Sequence, residues 1–274
     1  MSIKIESVCK GAELVSIKYN GVERLHNGEK AWNRHSPILF PMVGRLKNDE
    51  TKIEGKTYNM KQHGFARDMD FEIIEYTPKI QSYILKNNEE TKNKYPYNFL
   101  LNITHIAEDN KVTTQYKVIN TDNKEIYFGI GAHPAFNMNY DECYLEFEKE
   151  ESNIITYELE NGLIAKQYEK QLKNRKIIEL EKDTFENDAI IMKNIQSDKL
   201  YIKNKKTNKK ILEFCFKGFP YLAIWSKKEA PFLCIEPWYT TADKKDSDGE
   251  FKNKQGTILL SPNQEFVCQY SVAF

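Results

Sequence analysis

Three short segments of the 274-residue sequence set ionisable side chains among glycine, proline and aromatic residues. They are SPILFPMVGRL (36–46) together with KQHGFARD (61–68), GIGAHPAFN (129–137) and LCIEPWYT (233–240). Sites on β scaffolds are built where a strand meets a loop, and each segment has that character. Glu236 lies in the otherwise apolar run LCIEPW. An isolated buried charge is very costly, so a carboxylate there must be paired or hydrogen-bonded, and burial raises its pKa and makes it a better base. Two readings stand: a general base, or one half of a buried ion pair with a structural arginine. His133 is followed by Pro134, which restricts its backbone to extended conformations, while Gly129 and Gly131 permit close approach of another group. An imidazole held in that way, with an ordinary pKa of about 6.5, is suited to give or take a proton near neutrality. A structural histidine bonded to a backbone carbonyl is the alternative.

His63 precedes Gly64 in QHGFAR, and Arg45 follows Gly44 in VGR. Both bring donors suited to hydroxyls or to an anionic oxygen, although neither motif is specific alone. His26, His35 and His105 have no such setting and read as surface or packing residues.

The elements that must position these side chains are strands. Period-2 alternation recurs in SIKIESV, ELVSIKYNG, LNITHIA, KVTTQYKVIN, YFGIGAHPAF, CYLEFEKE, KLYIKN, YLAIWS, FLCIEPW and the closing TILLSPNQEFVCQYSVAF. Turn signals lie between them, including YNG at Tyr19, HNG at His26, EDN at Glu108, NTDN at Asn120 and ENG at Glu160. No long 3.6-period stripe appears; the helical candidates are short, at Lys30 to His35 and Lys182 to Asp188. The expectation is an all-β chain, with two large antiparallel sheets packed face to face and one outer face free for a ligand. No linker, repeat or low-complexity tract marks a boundary, so residues 1–274 read as one domain.

Lys+Arg and Asp+Glu both total 40, so no net field draws the chain to nucleic acid, and a neutral ligand fits the balance. The basic run KNKKTNKK from Lys203 reads as a solvated hairpin tip. Five scattered cysteines without a CxxC pair argue against a disulfide framework and a zinc site, and they read as reduced packing residues. Neither a signal-peptide core nor a membrane-length apolar window is present, so a cytoplasmic protein without membrane association is expected.

VGR, QHGFAR, GAHPAFN and CIEPW, in this order on a β-rich chain, resemble the aldose 1-epimerase (galactose mutarotase-like) family. Within it they resemble the bacterial branch similar to the lactose-operon epimerase-like proteins. The resemblance covers essentially the whole chain, from SPILFPMVGRL to SPNQEF. It implies a twisted β-sandwich, the galactose mutarotase-like supersandwich, whose open face binds an aldose. Glu236 would be the general base and His133 the general acid, with His63, Arg45 and, from NDA, Asp188 binding the sugar. Removing the C1 hydroxyl proton while protonating the ring oxygen opens the ring, and reclosure on the other face gives the second anomer. That chemistry needs no metal or other cofactor, and the sequence has no GxGxxG after a strand, no P-loop and no HExxH. With Glu236 deprotonated and His133 protonated, the pair predicts a bell-shaped rate profile whose acidic limb belongs to the carboxylate. A monomer or homodimer is expected. A glycosidase usually needs two carboxylates flanking one bond, whereas the motifs supply one carboxylate and two histidines. A binding or sensing protein of the same fold, or a hexose-6-phosphate epimerase, are the other readings. The latter calls for several cations over a phosphate, and near the motifs only Arg45 and Arg67 offer themselves.

Overall fold

The alternation in the sequence becomes two large antiparallel sheets. The computed structural model describes residues 3–29 and 31–274. The larger sheet has nine strands, in spatial order Ile177–Glu179, Cys143–Phe147, Lys199–Asn204, Lys210–Cys215, Glu265–Ala273, Lys111–Asn120, Phe99–Glu108, Ile80–Lys86 and Glu72–Tyr76. The other runs Leu163–Lys170, Ile154–Glu160, Ile190–Lys193, Tyr221–Trp225, Phe232–Trp238, Gly131–Ala132 and Ile38–Leu39, and Ala135–Asn137 also pairs with Phe232–Trp238.

The core lies between the sheets because the long strands turn alternate residues inward. In Phe99–Glu108 the buried positions include Phe99, Leu101, Ile103 and Ala107, and its partner Lys111–Asn120 buries Val112, Tyr116 and Val118. Met192, Leu222, Ile224, Leu233 and Ile235 of the second sheet join them in one contiguous apolar cluster. Fully burying each such side chain contributes roughly 1.5–3 kcal/mol. His105 is a satisfied core histidine, as its plain setting in the sequence suggests. Its Nε2 donates to the Ala12 carbonyl at 2.9 Å, so Nδ1 accepts from the Thr114 hydroxyl at 2.9 Å.

Several turn signals act as their residues require. Asn20 and Gly21 (φ 51° and 80°) join Leu14–Tyr19 to Val22–Glu23, and Asn161 and Gly162 (φ 53° and 78°) join Ile154–Glu160 to Leu163–Lys170. Two successive left-handed residues match the twist of a tight hairpin. KNKKTNKK is the tip joining Lys199–Asn204 to Lys210–Cys215, where the Asn204 side chain accepts from the Lys206 and Thr207 amides at 3.0 Å.

The two helical expectations are not met. Residues 31–35 form bends and turns, with Lys30 outside the described residues, and 182–188 is a chain of separate turns. Amides of Thr184, Glu186 and Asp188 each reach back three residues, and the left-handed Asp188 (φ 79°) ends the run before a helix forms. The α-helix found instead is Glu89–Lys92, nucleated by an Asn88–Thr91 capping box. The five cysteines are unpaired, as expected, but Cys9 is exposed and not a packing residue. Among the described residues no helix is long and apolar enough to cross a membrane.

Candidate active site

The strand Phe232–Trp238 carries the site because its period splits it between two surroundings. Leu233 and Ile235 enter the core, while Cys234, Glu236 and Trp238 face the outer side of the sheet. Next to it, Gly131 pairs with Trp238, and the chain then delivers His133, whose amide donates to the Pro37 carbonyl at 3.2 Å. The glycines are used for close approach. A Cβ on Gly131 would come within 2.8 Å of Trp238 Cδ1, and one on Gly129 within 2.3 Å of Thr240 Oγ1.

His133 Nε2 lies 3.2 Å from Glu236 Oε2, with Glu236 only 1% and His133 8% exposed. The two atoms are in proton-transfer range without hydrogen-bond alignment, and neither Oε2 nor His133 Nδ1 finds a hydrogen-bond partner elsewhere among the described residues. Burial, and then the nearby Asp188 charge, push the Glu236 carboxyl well above the usual carboxylate range. Burial, and then the Arg67 charge, push His133 down to about 3. Both shifts favour one arrangement, in which a single proton rests on the carboxyl and the pair is neutral overall.

The loop 61–68 forms the facing wall. His63 takes a left-handed conformation (φ 69°) and exchanges bonds with Gly44: its amide donates to the Gly44 carbonyl at 2.9 Å, and Nδ1 accepts from the Gly44 amide at 3.2 Å. The imidazole proton is thereby placed on Nε2, which lies 3.3 Å from the side-chain amide of Gln62. Burial and the adjacent His133 push its pKa well below the ordinary value, so it remains a neutral donor. Arg67 also lines the pocket. Its Nη2 donates to the Gln62 carbonyl at 2.8 Å, its buried Nε has no partner among the described residues, and it makes no ion pair there.

The expected residues divide accordingly. Glu236, His133, His63 and Asp188 line one cavity of about 220 Å³, with Asp188 exposed at its rim. Arg45 does not line it. Its guanidinium forks onto Asp49 at 3.0 and 3.2 Å, is 41% exposed, and lies beyond Gly162. An Asp four residues on captures the VGR arginine, and Arg67 supplies the cation to the cavity instead. Gln62 and Arg67 sit within the QHGFAR motif and Trp238 within CIEPW, so those motifs already contained the signal for them. Trp32 and Trp225 had only their rarity. The chain has three tryptophans, and all three line this cavity. His133, Cys234 and Glu236 bring donor atoms within 4.8 Å of one another.

A sequence profile described as aldose 1-epimerase matches residues 2–265. The chain belongs to the aldose 1-epimerase family. Among its relatives, the LacX protein (chromosomal) of Lactococcus lactis subsp. lactis is 32% identical over 269 residues, covering 92% of this chain and 90% of LacX. A galactose mutarotase related enzyme from Lactobacillus acidophilus superposes with a TM-score of 0.92 at 31% identity, covering 99% of this chain and 94% of that one. A galactose mutarotase-like protein from Lactobacillus casei gives a TM-score of 0.92 at 28% identity, covering 99% and 96%. Membership of the aldose 1-epimerase family agrees with the sandwich architecture.

Proposed function

We propose that this protein is a mutarotase that interconverts the α and β anomers of an aldose by general acid–base ring opening. The observation that carries the reading is the 3.2 Å approach of His133 to Glu236 at the base of a tryptophan-walled cavity. In the neutral resting pair the carboxyl holds the proton, and the short separation lets it pass to the imidazole. The Glu236 carboxylate then takes the C1 hydroxyl proton while the His133 imidazolium protonates the ring oxygen. The bond from C1 to the ring oxygen breaks, and its electron pair leaves on that oxygen as the C1 carbonyl forms. After rotation about C1–C2 both transfers run in reverse, and the pair regains its starting proton. Positioned acid–base groups contribute roughly 10²–10⁴-fold each. The Nε2–H of His63 and the guanidinium of Arg67 supply donors for sugar oxygens, and Asp188 at the rim supplies an acceptor. Every group used belongs to the chain.

Polarimetry on freshly dissolved α-glucose and α-galactose tests the reading. Glu236→Gln is expected to lose most turnover while calorimetric titration shows sugar binding within about tenfold of wild type, since the amide is nearly isosteric but takes no proton. Wild-type turnover in that variant would overturn the assignment, and binding without turnover in the unmodified protein would favour a sensing role.

A second reading, an epimerase of anionic sugars such as hexose 6-phosphates, draws support from Arg67, a cavity-lining guanidinium with no carboxylate partner among the described residues. A cation removed from water gains most from an ionic partner. Competition between glucose and glucose 6-phosphate in the same assay separates the two readings.

A further inference from the structure

We propose that Trp32 is a positioning residue for His133, clamping the imidazole face to face and shielding it from water. The proposal rests on the acid–base role given to His133 above. A catalytic histidine is ordinarily oriented by a hydrogen bond from its second ring nitrogen. His133 Nδ1 has no such partner on another residue among those described. Aromatic rings take its place. The Trp32 indole stacks on the imidazole with centroids 4.7 Å apart and planes 27° apart, and Trp225 and His63 meet its edges at 5.7 Å and 5.8 Å, with interplanar angles of 80° and 87°.

Trp32 is itself held from behind. Phe232 stacks on it at 5.8 Å, and its carbonyl accepts a bond from His26 Nε2 at 3.0 Å. The His26 amide is bonded to the Ala135 carbonyl, two residues past His133. The clamp therefore closes on the strand that delivers the imidazole. Stacking fixes the ring plane without occupying Nε2, which stays turned toward Glu236 at 3.2 Å and so suits a group that must hand a proton over and take it back. The ionisable groups facing His133 are Glu236 and Cys234 on the neighbouring strand, His63 and Arg67 on the 61–68 loop, and Arg34 on the segment of Trp32. Burial outweighs them as the cause of the low imidazole pKa, so water admitted by loss of the indole moves His133 back toward its ordinary range.

Trp32→Ala, Trp32→Leu and Trp32→Phe, compared by polarimetry and by NMR titration of the His133 ring assigned with His133→Asn, test the clamp. In Trp32→Ala, kcat is expected to fall by about tenfold or more with a smaller change in KM, while the His133 midpoint rises by at least about one pH unit. Trp32→Phe, which keeps a flat ring, should recover most of both. Leucine retains apolar packing without the flat face, so kcat should fall there too even if the alanine variant does not fold. An unchanged kcat and midpoint in the leucine variant, or phenylalanine rescuing neither, overturns the proposal. If the unmodified protein turns over no aldose, the functional reading fails, and the titration still decides the clamp.

Discussion

The neutral resting pair makes a prediction about pH that differs from the one the motifs alone suggest. With one proton shared by Glu236 and His133, kcat/KM of the free enzyme falls when the pair gains a second proton or loses the first. Burial and Arg67 hold the imidazole pKa down to about 3 instead of 6.5, which disfavours a charged His133 by on the order of 5 kcal/mol. The carboxyl is held up by burial and Asp188. Wild-type polarimetry, corrected for spontaneous mutarotation and limited to pH values at which circular dichroism shows folded protein, should therefore show no acidic limb in the ordinary histidine range. A basic limb should lie above the ordinary carboxylate range. Since the proton lost there comes from Glu236, His133→Asn should keep the basic limb in its residual activity, and Glu236→Gln should lose it. Rates in both variants should fall by roughly 10²–10⁴-fold. An acidic limb near the usual histidine value, or a basic limb that disappears with His133 and survives loss of Glu236, would refute the neutral pair and restore a carboxylate–imidazolium resting state.

Other outcomes follow from particular contacts. Arg67→Ala should weaken sugar binding by about tenfold or more, whereas Arg45→Ala, which breaks an exposed, solvent-screened pair with Asp49, should leave both binding and stability nearly unchanged; titration calorimetry and urea unfolding check both. His63→Ala removes the Nε2–H donor and should raise KM and lower kcat; unfolding of that variant by circular dichroism would mean that the paired bonds to Gly44 are its main role. His105 is buried and depressed to about 4, so its stabilising effect is complete above its unfolded value of about 6.5 and is lost as pH falls through about 4. Unfolding free energies from urea titrations over that window should fall by about 3 kcal/mol from this group, and His105→Gln should flatten the fall.

The sequence carried the sandwich because many of its strands alternate and their turns need left-handed residues. KVTTQYKVIN, KLYIKN and FLCIEPW appear as strands at Lys111–Asn120, Lys199–Asn204 and Phe232–Trp238. The helix-like stretch at 182–188 misled because composition does not reveal that its amides close separate three-residue turns. At the site, Glu236 and His133 stood out because each breaks an apolar or glycine-rich run. Arg45 did so too, but an acidic residue one helical turn away decides where its guanidinium goes, and that competition is invisible until the backbone is placed. Trp32 lies outside every strand and reaches the cavity only through tertiary packing, so periodicity could not have found it.

One strand serves both the core and the chemistry, Ile235 on one face and Glu236 on the other. A slip of one residue against Tyr221–Trp225 would bury the carboxylate in the core and turn isoleucine toward the cavity. Such a misfolded molecule would be wholly inactive instead of partly impaired. The specific activity of a preparation thus counts its correctly paired chains, and refolding yield measured by turnover should track refolding yield measured by sugar binding, molecule for molecule.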